Sequence, residues 1–245
     1  MSLRRTVATA ARVLRQLSHD RRTIALLLVV PCLLMTLLRY VYDGQPQVFD
    51  RIGPMLLALF PFTVMFLITS VAMLRERSSG TLERLLTTPI AKADLLGGYG
   101  LAFGFAAAVT VTLATSLALG PLGLNVHGSV PILILVALLD ALLGTALGLF
   151  LSAFAETEFQ AVQFLPAFVL PQLLLCGLFA PRDQMATVLQ WLSNAFPLSY
   201  AIEGATRAAG SSQMTSGLAI DLVVIAGCVP VALGLGAATL RRRTE

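Results

Sequence analysis

Six uninterrupted apolar runs, near 24–42, 52–74, 97–119, 131–154, 162–180 and 218–240, limit what this 245-residue chain can become more than anything else in it. A helix rising 1.5 Å per residue needs about 20 apolar residues to cross a hydrocarbon layer about 30 Å thick. Each run reaches or approaches that length. Charged residues make up 12% of the chain, about half the usual share of roughly 25% in soluble domains. The expected fold is all-α and polytopic, with six transmembrane helices in a single domain over 1–245.

Arginine placement sets the expected orientation. Thirteen of the seventeen basic residues fall in the N-terminal tail, in the 75–96 segment or in the C-terminal tail; Arg39, Arg51, Arg182 and Arg207 are left for the other side. Basic residues concentrate on cytoplasmic loops, so both termini and segment 75–96 are expected in the cytoplasm. The first 22 residues are not a signal peptide: the basic region is too long, and no small-residue cleavage site follows the first run. Val7, Ala10, Ala11, Leu14 and Leu17 recur at helical spacing there. They predict an interfacial amphipathic helix over 1–22 whose arginines face anionic lipid, the alternative being an unstructured basic tail. All basic residues but Lys92 are arginine, which suits a GC-rich bacterial genome and a bacterial plasma membrane.

Segment 75–96 begins RERSSGTLERLLTTP, a charged insertion between two spans. Ser78 or Ser79 can cap a helix there, with Glu83 in its first turn. Leu82, Leu85 and Leu86 share one face, Glu83 and Arg84 lie on another, and Pro89 stops the helix near Thr88. Asp94 can cap the span that follows. A second unusual stretch, GLFAPRDQMATVLQWLSNAFPLSYAIEGATRAAG, places Met185, Val188, Leu189 and Leu192 at helical spacing before a break at Phe196-Pro197. Helices too short to span must return to their own side or pack on protein.

These two stretches resemble the ABC-2 type permeases, membrane subunits of one class of ATP-driven exporters that includes the daunorubicin-resistance type. On that resemblance 75–96 is the coupling helix that docks on a nucleotide-binding subunit, carried by Glu76, Gly80, Thr81, Leu82, Glu83, Leu85, Leu86 and Pro89. Stretch 181–210 becomes an extracellular re-entrant region before the last span, matched at Pro181, Leu192, Pro197, Leu198, Tyr200, Ala201, Glu203 and Arg207. The resemblance implies two copies of an ATP-binding cassette ATPase and a second permease, identical or a related paralogue. The expected cargo is a hydrophobic or amphiphilic compound, a drug, antibiotic or lipid, moved out of the cell. A lipid-linked polymer or peptide permease, or a non-transporting resistance module, is the alternative. Loop 120–130 is short, leaving no room for a large extracellular domain.

The residue inventory narrows the chemistry. No G-x-x-x-x-G-K-[ST] loop is present, and the glycine-rich GGYGLAFGF lies within an apolar run without the lysine and hydroxyl that hold phosphate and magnesium. The chain is therefore expected to be non-catalytic and to bind no cofactor, with ATP and magnesium on the partner subunit. Glu156 and Glu158, in the next loop on the same side, are a second candidate contact for that subunit. His19 and His127 lie far apart and Cys32, Cys176 and Cys228 sit in apolar runs; no metal site, disulfide or nucleic-acid partner is expected. A secondary transporter would want several intramembrane carboxylates, and Asp140 alone lies deep in a span.

Asp140 must face protein, water or a partner, as a substrate contact or in a structural hydrogen bond. Asp221 is expected at the interface. Phe60, Phe62, Phe66, Phe164 and Phe168 fall on the two spans that in the resembled family line the path between permeases, the alternative being ordinary core or lipid-facing rings. Pro197, Tyr200 and Glu203 complete the candidate gate, Glu203 being one turn from Arg207. Gly100 with Gly104, and Gly144 with Gly148, form small-xxx-small pairs suited to close helix packing, within the subunit first and at a dimer seam second.

Overall fold

A computed structural model describes residues 3–81, 84 and 92–239. Every regular element among them is helical. In chain order these are α1 (Leu3–His19), α2 (Arg21–Val41), α3 (Pro46–Ser78), α4 (Lys92–Leu119), α5 (Val130–Leu151), α6 (Glu158–Leu175), α7 (Thr187–Ala195), α8 (Pro197–Gly210) and α9 (Ser216–Thr239), with single 3-10 turns at Ser152–Phe154 and Arg182–Gln184. Six of the helices, α2 to α6 and α9, are long and apolar enough to cross a membrane. Expected and observed spans agree to within a few residues, with two exceptions. At 33 residues α3 is about 50 Å long, starting six residues before the expected run and ending four after it, more than a hydrocarbon layer of about 30 Å needs. The fifth span starts at Glu158 and stops at Leu175, not 180, because Gly177 takes a left-handed backbone (φ 94°) just beyond it.

The starts of the helices follow from local chemistry. The Asp20 carboxylate caps α2, accepting from the amides of Arg22 and Thr23, and Thr157 caps α6 through the Gln160 amide. Prolines open α3, α5 and α8 in their first turns, where a missing amide costs nothing.

Burial grades the spans, with α4 intermediate at 44% of its most apolar window. In α3 and α5, 72% and 67% of the most apolar window lies inside the protein; in α2, α6 and α9 the shares are 17%, 17% and 22%. The centre of the bundle is therefore the α3–α5 pair, and the rim offers apolar faces outward. Gly144 and Gly148 let the pair close: a Cβ at either would collide with the Phe62 or Phe66 carbonyl. The Thr69 hydroxyl reaches across to the Thr145 carbonyl at 3.3 Å. Packing within the subunit is thus where this glycine pair acts. Of the other pair, Gly104 lies against Leu142 of α5 while Gly100 faces open space.

Helix α1 departs from the expectation in its facing. It buries Thr6, Thr9, Ala10 and Val13 against the first turns of α4, where Leu95, Tyr99, Ala102 and Phe103 are buried in the same cluster. Gly98 makes room, since a Cβ there would strike Thr9. Val7 and Ala11 are exposed. Thr6, Thr9 and Ala10, with Val13, make the close contact with α4, so the helix turns its mixed face inward.

Candidate functional site

At the arginine-rich end of the bundle, three consecutive residues of α3 each fasten a different element. Arg75 grips Glu158, on the first turn of α6, with two hydrogen bonds of 2.7 and 3.0 Å. It also lies 3.7 Å from Asp20 at the α1–α2 junction. Paired donors matched to paired carboxylate oxygens fix orientation as well as distance, and Glu158 sits where the α6 dipole favours a negative charge. Glu76 is buried and accepts from Arg12 of α1 at 3.0 Å, while the same guanidinium donates to the Tyr99 hydroxyl of α4 at 2.8 Å and lies 5.8 Å from the centre of its ring. Arg77 donates to the Ser152 carbonyl at 2.6 Å, occupying an acceptor at the C-terminus of α5.

Immediately beyond, Ser79 caps the end of α3 and Gly80 adopts a left-handed backbone (φ 69°). Ser78 and Ser79 therefore close α3 and do not open the next helix, as the sequence had suggested; the break is at Gly80. Thr81 meets the Ser79 hydroxyl at 3.0 Å, and the Arg84 amide donates to the Gly80 carbonyl at 3.1 Å. Leu82, Glu83, Leu85, Leu86 and Pro89 lie outside the described residues. Asp94 falls within the first turn of α4, which begins two residues earlier, and is buried. Of the two glutamates proposed as a second contact, Glu158 is held by Arg75, whereas Glu156 is exposed.

A second charged cluster forms at the opposite end. Helices α7 and α8 are too short to span, and meet at Phe196, whose extended backbone breaks one helix before Pro197 opens the next. The Tyr200 hydroxyl donates to the Asn194 carbonyl at 2.9 Å across that corner. Glu203 accepts from Arg182 at 2.8 Å and from Arg207 at 3.0 Å; Arg207 continues to Asp221 of α9, and Arg182 to Asn194. Arg182 also stacks 5.4 Å from the centre of the Tyr200 ring. Together these side chains line a cavity of about 330 Å³. Asp221, near the start of α9, is buried at 2% exposure, and its ion pair with Arg207 accounts for it: a carboxylate drawn inside needs a partner. The pairings of Arg182 with Glu203 and of Arg207 with Asp221 were not legible in the sequence, since the partners are 21 and 14 positions apart.

Between the two ends lies Asp140, wholly buried in α5 and, among the described residues, with neither carboxylate oxygen hydrogen-bonded. Phe62 and Phe66, expected on a path, are wholly inside the chain against α5. Phe168 of α6 stacks on Phe66 at 6.4 Å between ring centres; it and Phe164 are only half-buried. In this conformation the first two are core rings, and any lining role falls to the α6 pair.

Comparison with known proteins agrees with this architecture. The model of the ABC-2 type transporter family matches residues 4–208. The chain is similar to the inner membrane transport permease YhhJ of Escherichia coli, 28% identical over 134 residues, which are 54% of this chain and 36% of that protein. It is also similar to the probable multidrug ABC transporter permease YbhS of the same organism, 30% identical over 135 residues, or 55% of this chain and 36% of the relative. ABC transporter G family member 20 of Dictyostelium discoideum is 25% identical over 162 residues, 66% of this chain and 22% of that protein. The chain thus matches between 22% and 36% of the length of these curated relatives. The family match itself runs from the start of α1 almost to the end of α8, and the chain belongs to the ABC-2 type transporter family.

Proposed function

We propose that this chain is the membrane-spanning permease of an ATP-driven exporter, moving a hydrophobic or amphiphilic compound out of a bacterial cell across its plasma membrane. The observation that carries this reading is the knot at Arg75, Glu76 and Arg77, which ties α1, α4, α5 and α6 to α3 directly before the segment that resembles a coupling helix. A push on that segment reaches five helices through side chains of one turn. The chain has no phosphate-binding loop of its own, so the push comes from a separate ATPase subunit that binds ATP and magnesium. Two such subunits work beneath two permeases, with both termini and segment 75–96 in the cytoplasm. The multidrug name of one relative supports a hydrophobic or amphiphilic cargo.

A conformational equilibrium shifts only by the difference in affinity that a ligand has for its two states. The partner ATPase must therefore bind the coupling segment differently with and without nucleotide. Co-purification with an ATPase, together with cargo-stimulated ATP hydrolysis in liposomes, tests the reading. Glu83→Ala or Leu85→Ala should weaken ATPase association while membrane insertion persists. Solute transport by the purified chain alone would overturn the proposal.

A further inference from the structure

Between α1, α2 and α4 lies a groove of about 450 Å³ that the knot does not use. That volume is within the range of roughly 300–1,000 Å³ typical of small-molecule sites. Its walls are Leu17, Leu27, Leu28, Phe105 and Val109, and its rim is polar at Arg15, Ser18 and Thr23. Phe105 is 60% exposed, so the groove opens outward toward the surroundings of the bundle.

Three observations indicate what fills it. First, its depth is that of a membrane interface: Thr23 lies in the first turn of α2, directly after the Asp20 cap, while Phe105 and Val109 lie well inside the α4 span. Second, the polarity is graded, with the polar groups at the tail end and a purely hydrocarbon wall deeper in. Third, the charge at the rim is uncommitted. Arg12 and Arg75 are consumed by Glu76, Asp20 and Glu158, but the Arg15 guanidinium makes no hydrogen bond or ion pair among the described residues.

We infer that this groove is a binding site for an anionic phospholipid of the inner leaflet, its acyl chain on Leu27, Leu28, Phe105 and Val109 and its phosphate on Arg15. A guanidinium offers paired donors that suit phosphate oxygens, whereas a zwitterionic headgroup brings its own cation to that edge. The site takes its leaflet from the orientation proposed above but does not depend on transport, so it stands or falls separately from the exporter reading.

The test uses the full chain in nanodiscs with one tryptophan reporter. Trp191→Phe removes the single native tryptophan, and Phe105→Trp places a new one in the groove; Val109→Trp serves if that variant fails to fold. Acyl-brominated phosphatidylglycerol and phosphatidylcholine are then titrated as quenchers. One arginine beside an anionic lipid corresponds to about fivefold in affinity. Phosphatidylglycerol should therefore half-quench at about a fivefold lower mole fraction than phosphatidylcholine. Arg15→Gln should bring the two curves together, and a reporter at the exposed Val223→Trp on α9 should show no preference. Equal quenching by both lipids at the groove, a preference unchanged by Arg15→Gln, or no quenching by either (a groove covered by protein) would each overturn the site.

Discussion

Arg12 of α1 and Glu76 of α3, 64 positions apart, meet at 3.0 Å with the glutamate side chain almost fully enclosed. The contact makes an N-terminal helix that could have floated on a lipid surface an integral part of the bundle. It also explains why the glutamate of the RER motif is inside the protein: it fastens the C-terminal end of α3 to α1.

Removing the arginine should show this. Arg12→Ala leaves a buried carboxylate without its charged donor, a loss of about 2–3 kcal/mol. Tyr99→Phe, which removes a neutral donor–acceptor from the same guanidinium, should cost about 1 kcal/mol. Thermal unfolding in one detergent at fixed protein concentration measures both. Equal effects would mean that the ion pair is not the dominant contact.

The two glycine pairs should respond in opposite ways. Gly148→Ala drives a Cβ into the Phe66 carbonyl and the Thr69 side chain, and overpacking of this kind costs about 1–3 kcal/mol. Gly100→Ala meets nothing within 4 Å, so alanine's better helix propensity should leave stability unchanged or raise it by about 0.5–1 kcal/mol. An unchanged or raised melting temperature for Gly148→Ala would refute the placement of α5 against α3, and a lowered one for Gly100→Ala would refute the open surroundings of Gly100.

How much of this could be read in advance depended on residue type. Long apolar runs announced the spans, and Gly144 with Gly148 marked a close-packing face because few other residues allow one. Leucine, valine and alanine did not mark faces, since lipid and protein interior are equally apolar; hence the complete burial of Phe62 and Phe66 was not legible. Charged pairs were legible at one-turn spacing, as with Glu203 and Arg207. They were hidden when the partner lay on another helix, as with Arg75 and Glu158 or Arg207 and Asp221. The buried face of α1 was not legible because it contains Thr6 and Thr9, which periodicity counts as polar.

The α2 cap supplies a pH dependence. Asp20 accepts hydrogen bonds from the Thr23 side chain first, then from the Thr23 and Arg22 amides, with Arg75 nearby, and these hold its carboxyl below the ordinary value of 3.8. A lowered folded-state pKa means that the contribution is complete above the unfolded value and is lost as pH falls through the folded one. The cap should therefore contribute constantly from neutral pH down to about 5 and fade below about 4. Asp20→Ala should lose about 1 kcal/mol at pH 7, whereas Asp20→Asn should keep most of the cap and show a flatter acid limb in melting temperature against pH.

At the opposite end, Arg207 bridges Glu203 and the buried Asp221. Arg207→Ala strands that carboxylate, a loss of about 3 kcal/mol or more. Adding Asp221→Asn should recover much of it, because the neutral amide no longer needs the cation. A double-mutant cycle read by thermal unfolding gives the coupling directly; simple additivity of the two losses would refute the pairing.

The remaining pair separates stability from coupling. Arg75 and Glu158 are both about half exposed, and exposed pairs contribute about 0–1 kcal/mol, so Arg75→Glu or Glu158→Arg alone should barely change the melting temperature. If α3 drives α6 through this pair, each reversal should nonetheless uncouple cargo-stimulated ATP hydrolysis in the reconstituted complex. Combining them restores an attractive pair in reversed order. Position 75 also faces Asp20 and the α6 N-terminus favours an anion, so the double reversal should recover part of the stimulated rate, more than either single reversal, while the basal rate stays level throughout. Were Glu158 instead a direct contact with the ATPase, Glu158→Arg would reduce subunit association, and Arg75→Glu could not rescue it. Pull-down of the ATPase alongside the hydrolysis assay therefore decides whether the glutamate acts inside the permease or across the interface.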